Sequence, residues 1–367
     1  MAPAVTAASG HSYRLKNKRT GLYLTSADFS PSSYATIYQS VASGQGRLAQ
    51  TWNVLSLDNG EYLIEQKVGG TILTPDNYSS GGVRVNLDNP QNGSDVNVRN
   101  SQIWILRAEG TGYTISNKHG GLFLTPDNCG VNGNGQVNKF YRASGADGES
   151  QIWELEREAT YSRIVNTPTG PTSNNVGPVP SPTGYSRPNP DATPQVLVGT
   201  TLLPSPLVSD PALGQARKAQ ESPYYLLKRY GFYKIVYFYD HSGQVNKKES
   251  QSVTVGLSTT NAREVETTTG ISVTAETGVQ YKGFSASLST TVSYQLRTRV
   301  ATESTQSSNR TVTVEREYPA NGRRLAQSIW FRADRYVLER TDGSKVLEWE
   351  TTTDQDTVDS VYPAATG

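Results

Sequence analysis

Cysteine and histidine are the scarcest chemistry-bearing residues in this 367-residue chain: one cysteine, Cys129, and three histidines, His11, His119 and His241. A lone thiol cannot close an intrachain disulfide. The four residues together show no metal-ligand spacing, so no metal or cofactor is expected. No Gly-x-Ser-x-Gly, phosphate-binding loop or His-Glu-x-x-His stretch occurs either. The acid pairs Glu264/Glu266 and Asp354/Asp356 read as exposed carboxylates, and a glycosidase carrying an accessory lectin module is the disfavoured enzymatic rival. The reading is therefore of a protein that is not an enzyme.

Charge of one sign is also missing. The formal net charge is +1, which leaves no bulk electrostatic footprint for nucleic acid. No apolar run approaches the roughly 18 residues of a membrane-spanning helix. The opening Met1-Ala2-Pro3-Ala4-Val5-Thr6 has neither the basic start nor the apolar core of a signal peptide. The expectation is a soluble protein, secreted without a visible signal or stored in inclusions, that acts at a target membrane.

What the chain does contain is repetition. Gln50-Thr51-Trp52, Gln102-Ile103-Trp104 and Gln151-Ile152-Trp153 recur at intervals of 52 and 49 residues. Gly21-Leu22-Tyr23-Leu24-Thr25, Gly70-Thr71-Ile72-Leu73-Thr74 and Gly121-Leu122-Phe123-Leu124-Thr125 run in phase with them. Each unit holds four short alternating stretches, begun by Tyr13, Tyr62 or Tyr113, with a third stretch at Tyr38, Val85 or Val137. Three copies of four strands predict a closed β-structure with pseudo-threefold symmetry over residues 1–158. Buried tryptophans would form its core, and the glutamines would bond neighbouring backbone.

A shallow sugar site needs carboxylate and amide groups to pair with hydroxyls and an aromatic face for the C–H surface. The loops after the Gly-x-x-Leu-Thr stretches supply Asp76, Asn77 and Tyr78 in the second repeat and Asp127 and Asn128 in the third. Asn86 and Asn138 occupy matching places downstream. The first repeat offers Asp28 and Tyr38. Turn chemistry alone also favours Pro, Asp and Asn at such positions.

Residues 159–222 change character: twelve of the nineteen prolines fall between Thr167 and Pro223. Proline removes backbone donors, so a linker or a strap is expected, with Val196-Leu197-Val198 and Leu202-Leu203 as anchors.

Residues 223–367 read as a second, β-rich domain. Aromatics crowd Tyr224–Tyr239, and Asp342-Gly343 marks a hairpin turn between Val337-Leu338 and Val346-Leu347. Its distinctive stretch alternates with period two. Ile271, Val273, Val279 and Tyr281 share one face, opposed by Ser, Thr, Glu and Gln. The phase shifts by one at Gly283, after which Phe284, Leu288, Val292 and Tyr294 share a face opposed by serines. Each arm has about 11 residues, a length that suits a tilted membrane strand. Any half-exposed antiparallel sheet alternates in the same way.

The triplicated Gln-x-Trp signature resembles the ricin-B-type β-trefoil lectins, and the resemblance covers residues 11–156. A trefoil followed by a Ser/Thr-rich β-domain is similar to the two-domain insecticidal toxins of the aerolysin-like superfamily. The resemblance implies an all-β chain: an N-terminal β-trefoil and a C-terminal elongated antiparallel β-domain. It further implies binding to cell-surface glycans, homo-oligomers, a partner toxin protein in some members, and Ile271–Leu296 as an inserting hairpin. The other class left open is a non-lytic defence lectin whose second domain serves assembly.

Overall fold

The computed structural model describes residues 9–91, 95–130, 135–173, 175–257, 259–273, 278–281, 286–300 and 309–363. Twelve strands build the first domain, four per repeat. The first and fourth strands of the lobes are His11–Asn17 and Trp52–Asp58, Glu61–Gln66 and Trp104–Glu109, and Gly112–Asn117 and Ile152–Thr160. They pair with one another into a closed ring, so no edge of the barrel is left unpaired. The second and third strands form three hairpins that cap it, Tyr23–Ser26 with Ala35–Tyr38, Ile72–Pro75 with Val85–Asp88, and Phe123–Pro126 with Val137–Phe140. Trp52, Trp104 and Trp153 are fully buried in one core with Leu24, Leu73 and Leu124. Between the third and fourth strands each lobe carries a short helix, Gly44–Ala49, Val96–Ser101 and Gly145–Glu149, too brief to leave a helical period in the sequence.

The second domain is a seven-stranded antiparallel sheet. Its long central strands are Tyr224–His241, Leu325–Glu339 and Lys345–Tyr362, the last two joined by the Asp342-Gly343 turn. Val196–Pro204, in the proline-rich region, forms a strand of this sheet and pairs with Tyr224–Gly231. Part of the region between the repeats and Tyr224 is thus built into the second sheet, and part bonds to the trefoil. At the other side, Lys247–Gly256 pairs along its whole length with Asn309–Tyr318. Among the described residues that ribbon pairs with the rest of the sheet at Gly256 with Thr352. It folds over the sheet to enclose a small core of Tyr237, Val255, Val314, Ile329 and Phe331.

The stretch expected to form two paired arms is folded differently. Ile271–Val273 turns back antiparallel on Gly278–Tyr281, pairing Ile271 with Tyr281 and Val273 with Val279. The second arm is an α-helix, Ala286–Leu296, preceded in the chain by another, Thr259–Thr269. Among the described residues the arms do not pair with each other. Leu288, Val292 and Leu296 recur every four residues, an interval that keeps them on one side of a strand and also on one side of a helix. All three are buried. Tyr294, which shares their face only in a strand, is 71% exposed. Phe284 lies outside the described residues.

The domains meet over a continuous apolar seam. Leu55, Leu57 and Leu63 of the trefoil share a cluster with Leu203, Leu288 and Val292. Tyr224 Oη donates to Val54 O at 3.1 Å, and Asn53 Nδ2 donates to Ala219 O at 2.8 Å. Glu65 is fully buried here beside Ser205, and burial pushes its carboxyl up to about 7.

Candidate functional site

The two repeated motifs are in phase because they bond to each other. Each motif glutamine donates its Nε2 to the threonine hydroxyl of its own lobe: Gln50 to Thr25 at 3.1 Å, Gln102 to Thr74 at 3.0 Å, Gln151 to Thr125 at 3.0 Å. The same Nε2 donates to the carbonyls of Gln39, Asn89 and Tyr141, just after the third strand. The Oε1 atoms accept from the amides of Val41, Gln91 and Ala143. Each tryptophan Nε1 donates to the leucine carbonyl beside that threonine, Leu24, Leu73 or Leu124. One side chain thus fixes both ends of a lobe's hairpin. The loop at the hairpin tip, where the candidate sugar groups sit, is carried on a rigid base.

In the second lobe Asp76, Asn77 and Tyr78 make a tight turn with Asn77 at φ 51°. Asn86 Nδ2 donates to Asp76 Oδ1 at 2.9 Å, and Arg84 Nε donates to Asn86 Oδ1 at 3.1 Å. Asp88, two residues beyond Asn86, belongs to the same constellation. Burial and then the Asp76 charge raise its carboxyl, while burial and then the Asp88 charge raise the Tyr78 phenol. In the third lobe Asp127 and Asn128 are exposed. Asn138 Nδ2 donates to Asp127 Oδ1 at 3.4 Å.

The strand register sets the first lobe apart. Thr25 lies opposite Thr36, as Thr74 lies opposite Asn86 and Thr125 opposite Asn138. Ala27 and Thr36 therefore stand where the other lobes have Asp76 with Asn86 and Asp127 with Asn138. Asp28 instead occupies the place of Asn77 and Asn128, with the same positive φ. Tyr38 packs edge-on against Phe29 with ring centroids 5.6 Å apart. The first lobe has no carboxylate–amide pair at this site.

Phe140 was not picked out from the sequence. It stands opposite Phe123 as Tyr38 stands opposite Tyr23 and Asp88 opposite Ile72. It is 57% exposed, next to Tyr141 at 73%. An exposed aromatic ring two residues from Asn138 is an apolar surface of the kind on which the C–H face of a sugar can stack.

Three of the residues expected to enter a membrane lie in the seam, while Tyr294 faces solvent. Ile271, Leu288 and Val292 are buried in the seam core. The helix Ala286–Leu296 is held from both sides: Thr291 Oγ1 donates to Asp58 of the trefoil, and Thr201 Oγ1 donates to Gln295 Oε1 at 2.5 Å. Arg229 Nη1 donates to the Leu296 carbonyl at 2.9 Å and to that of Arg297. Among the described residues no helix is long and apolar enough to cross a membrane, a statement that does not bear on β-barrels, and no group of three or more His, Cys, Asp or Glu is placed to hold a metal ion.

A closed trefoil with Gln-x-Trp clamps, joined to a long antiparallel sheet, makes this an all-β chain with a trefoil head on a β-domain. Residues 196–364 match the family described as Insecticidal Crystal Toxin, P42. The insecticidal crystal protein Cry35Ab1 of Bacillus thuringiensis is 23% identical over 235 residues, 63% of this chain. The matched stretch spans 56% of that relative's own length. The crystal structure of Cry35Ab1 has the same fold, with a TM-score of 0.78 at 18% identity, covering 97% of this chain and 91% of that one.

Proposed function

We propose that this protein is an insecticidal toxin whose second and third trefoil lobes bind cell-surface glycans and whose chain between Gly256 and Asn309 straightens into a membrane-inserted β-hairpin. Several copies would close such hairpins into a barrel, because a single hairpin leaves its edges unpaired in lipid.

The observation that carries the insertion is a register. Lys247–Gly256 and Asn309–Tyr318 pair without a bulge, Lys247 opposite Tyr318 and Gly256 opposite Asn309. Continuing that ladder inward sets Ile271 against Tyr294, Val273 against Val292, Thr277 against Leu288 and Tyr281 against Phe284. Lys282-Gly283 is left as a two-residue turn, the commonest connection in hairpins. The one-residue phase shift at Gly283 is what such a turn requires if both arms are to present apolar residues on one face. The continued ladder also stays in phase with Val253, Val255, Val312 and Val314, which line the inner face of the existing ribbon. Tyr294, left in solvent by the helix, joins the apolar face in this ladder.

Glycan recognition is supported by the Asp76–Asn86 and Asp127–Asn138 pairs, with Tyr78 and Phe140 as the aromatic surfaces. The insect as target is supported by the name of the relative.

The test is dye release from vesicles made of insect midgut brush-border membrane, with cysteines at Val273 and Val292 in a Cys129→Ser background. Leakage should accompany cross-linking of that pair, and a Val273→Cys/Thr291→Cys control should cross-link far less. Vesicles that stay sealed while glycan binding persists would leave the non-lytic lectin as the reading.

A further inference from the structure

The helical form of the second arm calls for a cause. Its sequence, Ala-Ser-Leu-Ser-Thr-Thr-Val-Ser-Tyr-Gln-Leu, is rich in serine, threonine and β-branched or aromatic residues, which favour helices poorly. Eleven residues are also too few for a helix to persist alone in water. Packing must hold it, and the packing comes from two directions. The β-domain provides Thr201, Arg229 and Gly199, where a Cβ would run into the Gln295 carbonyl. The trefoil provides the opposite wall, Leu55 and Leu57 beneath Leu288 and Val292, with Asp58 accepting from Thr291. Asp58 sits at φ 104°, a conformation that non-glycine residues rarely adopt, at the end of strand Trp52–Asp58.

We propose that the trefoil head is also the clamp on the second arm: Asp58 and the leucines behind it keep Ala286–Leu296 helical, and the head must swing off the β-domain before that arm can straighten. The proposal rests on the inserting-hairpin reading above. In it, the head that engages the target surface and the wall that restrains the arm are one body, so a pull on the head opens the seam.

The experiment uses the full chain and reads the soluble protein first. In Asp58→Ala, amide hydrogen exchange in 286–296 should rise about tenfold, as expected for losing one hydrogen bond to a charged acceptor. Exchange around Trp104 should not change, and that region reports whether the variant is folded. Asp58→Asn, which keeps an acceptor, should shift exchange less. In a Cys129→Ser background, Asp58→Cys with Thr291→Cys should slow exchange when oxidised and block vesicle leakage, and reductant should restore both. Unchanged exchange in Asp58→Ala, or wild-type leakage from the oxidised pair, would overturn the clamp. Exchange that responds in both variants while the wild-type protein never leaks would uphold the clamp and remove the pore reading instead.

Discussion

Ser205 Oγ lies 2.9 and 3.1 Å from the two carboxyl oxygens of Glu65, and this contact crosses the seam between head and β-domain. Asn53 Nδ2 donates to the same carboxyl at 2.9 Å, while the positive charges of Lys218 and Lys67 only partly offset the effect of burial. Because the folded value is raised from 4.5 to about 7, the fold favours the neutral acid. The associated stability is complete below pH 4.5 and is lost as pH climbs through about 7. Its size is on the order of 3 kcal/mol. Urea midpoints at pH 5 and pH 8 should differ in the wild type and converge in Glu65→Gln. A pH slope that survives the substitution would place the titration elsewhere.

Glycan binding should be unequal among the lobes. Asp127→Ala or Phe140→Ala should weaken third-lobe binding about ten- to a hundredfold, the cost of losing a charge-assisted hydrogen bond or a stacking face. Asp28→Ala should change nothing, because Ala27 and Thr36 leave the first lobe without the pair. Titration calorimetry with the best glycan from an array decides it, and equal losses from Asp28→Ala and Asp127→Ala would refute the assignment.

The folded-back first arm can be locked in place. Val273 and Val279 are paired neighbours in the soluble protein. A disulfide between cysteines at these positions, with Cys129→Ser, should reduce leakage by about a hundredfold or more and release it on reduction. An oxidised protein that leaks normally would show that this arm need not straighten.

Glu276 is the sole charged residue from Ile271 to Tyr281, and Phe284 to Leu296 has none. On the polar face of an inserted hairpin it would place one carboxylate per subunit in the lumen. Channels in planar bilayers should therefore prefer cations, and Glu276→Gln should move the reversal potential in a KCl gradient towards zero. A channel that prefers anions would put the polar face somewhere other than the lumen.

The sequence made the trefoil legible because Gln-x-Trp and Gly-x-x-Leu-Thr are two ends of one hydrogen-bonded clamp, written three times. The lobes were harder to rank. Asp28 lies three residues after its motif threonine, whereas Asp76 and Asp127 lie two after theirs. Only the strand register shows Thr36 standing where the other lobes have Asn86 and Asn138. Phe140 escaped notice because a platform residue belongs to a strand end, apart from the turn that carries the acids. The helix Ala286–Leu296 had no sequence signal of its own. Its apolar spacing of four satisfies a strand as well, and the wall that decides between them comes from Leu55 and Leu57, more than two hundred residues upstream.

That spacing of four also sorts the second arm's positions by which state they serve. Leu288, Val292 and Leu296 are constrained twice, since either shape buries them. Tyr294 carries no such double duty: the soluble fold leaves it facing water. Substitutions there should express, fold and bind like the parent, and show their effect only after contact with a target. The arm thus separates what a variant needs to be made from what it needs to act.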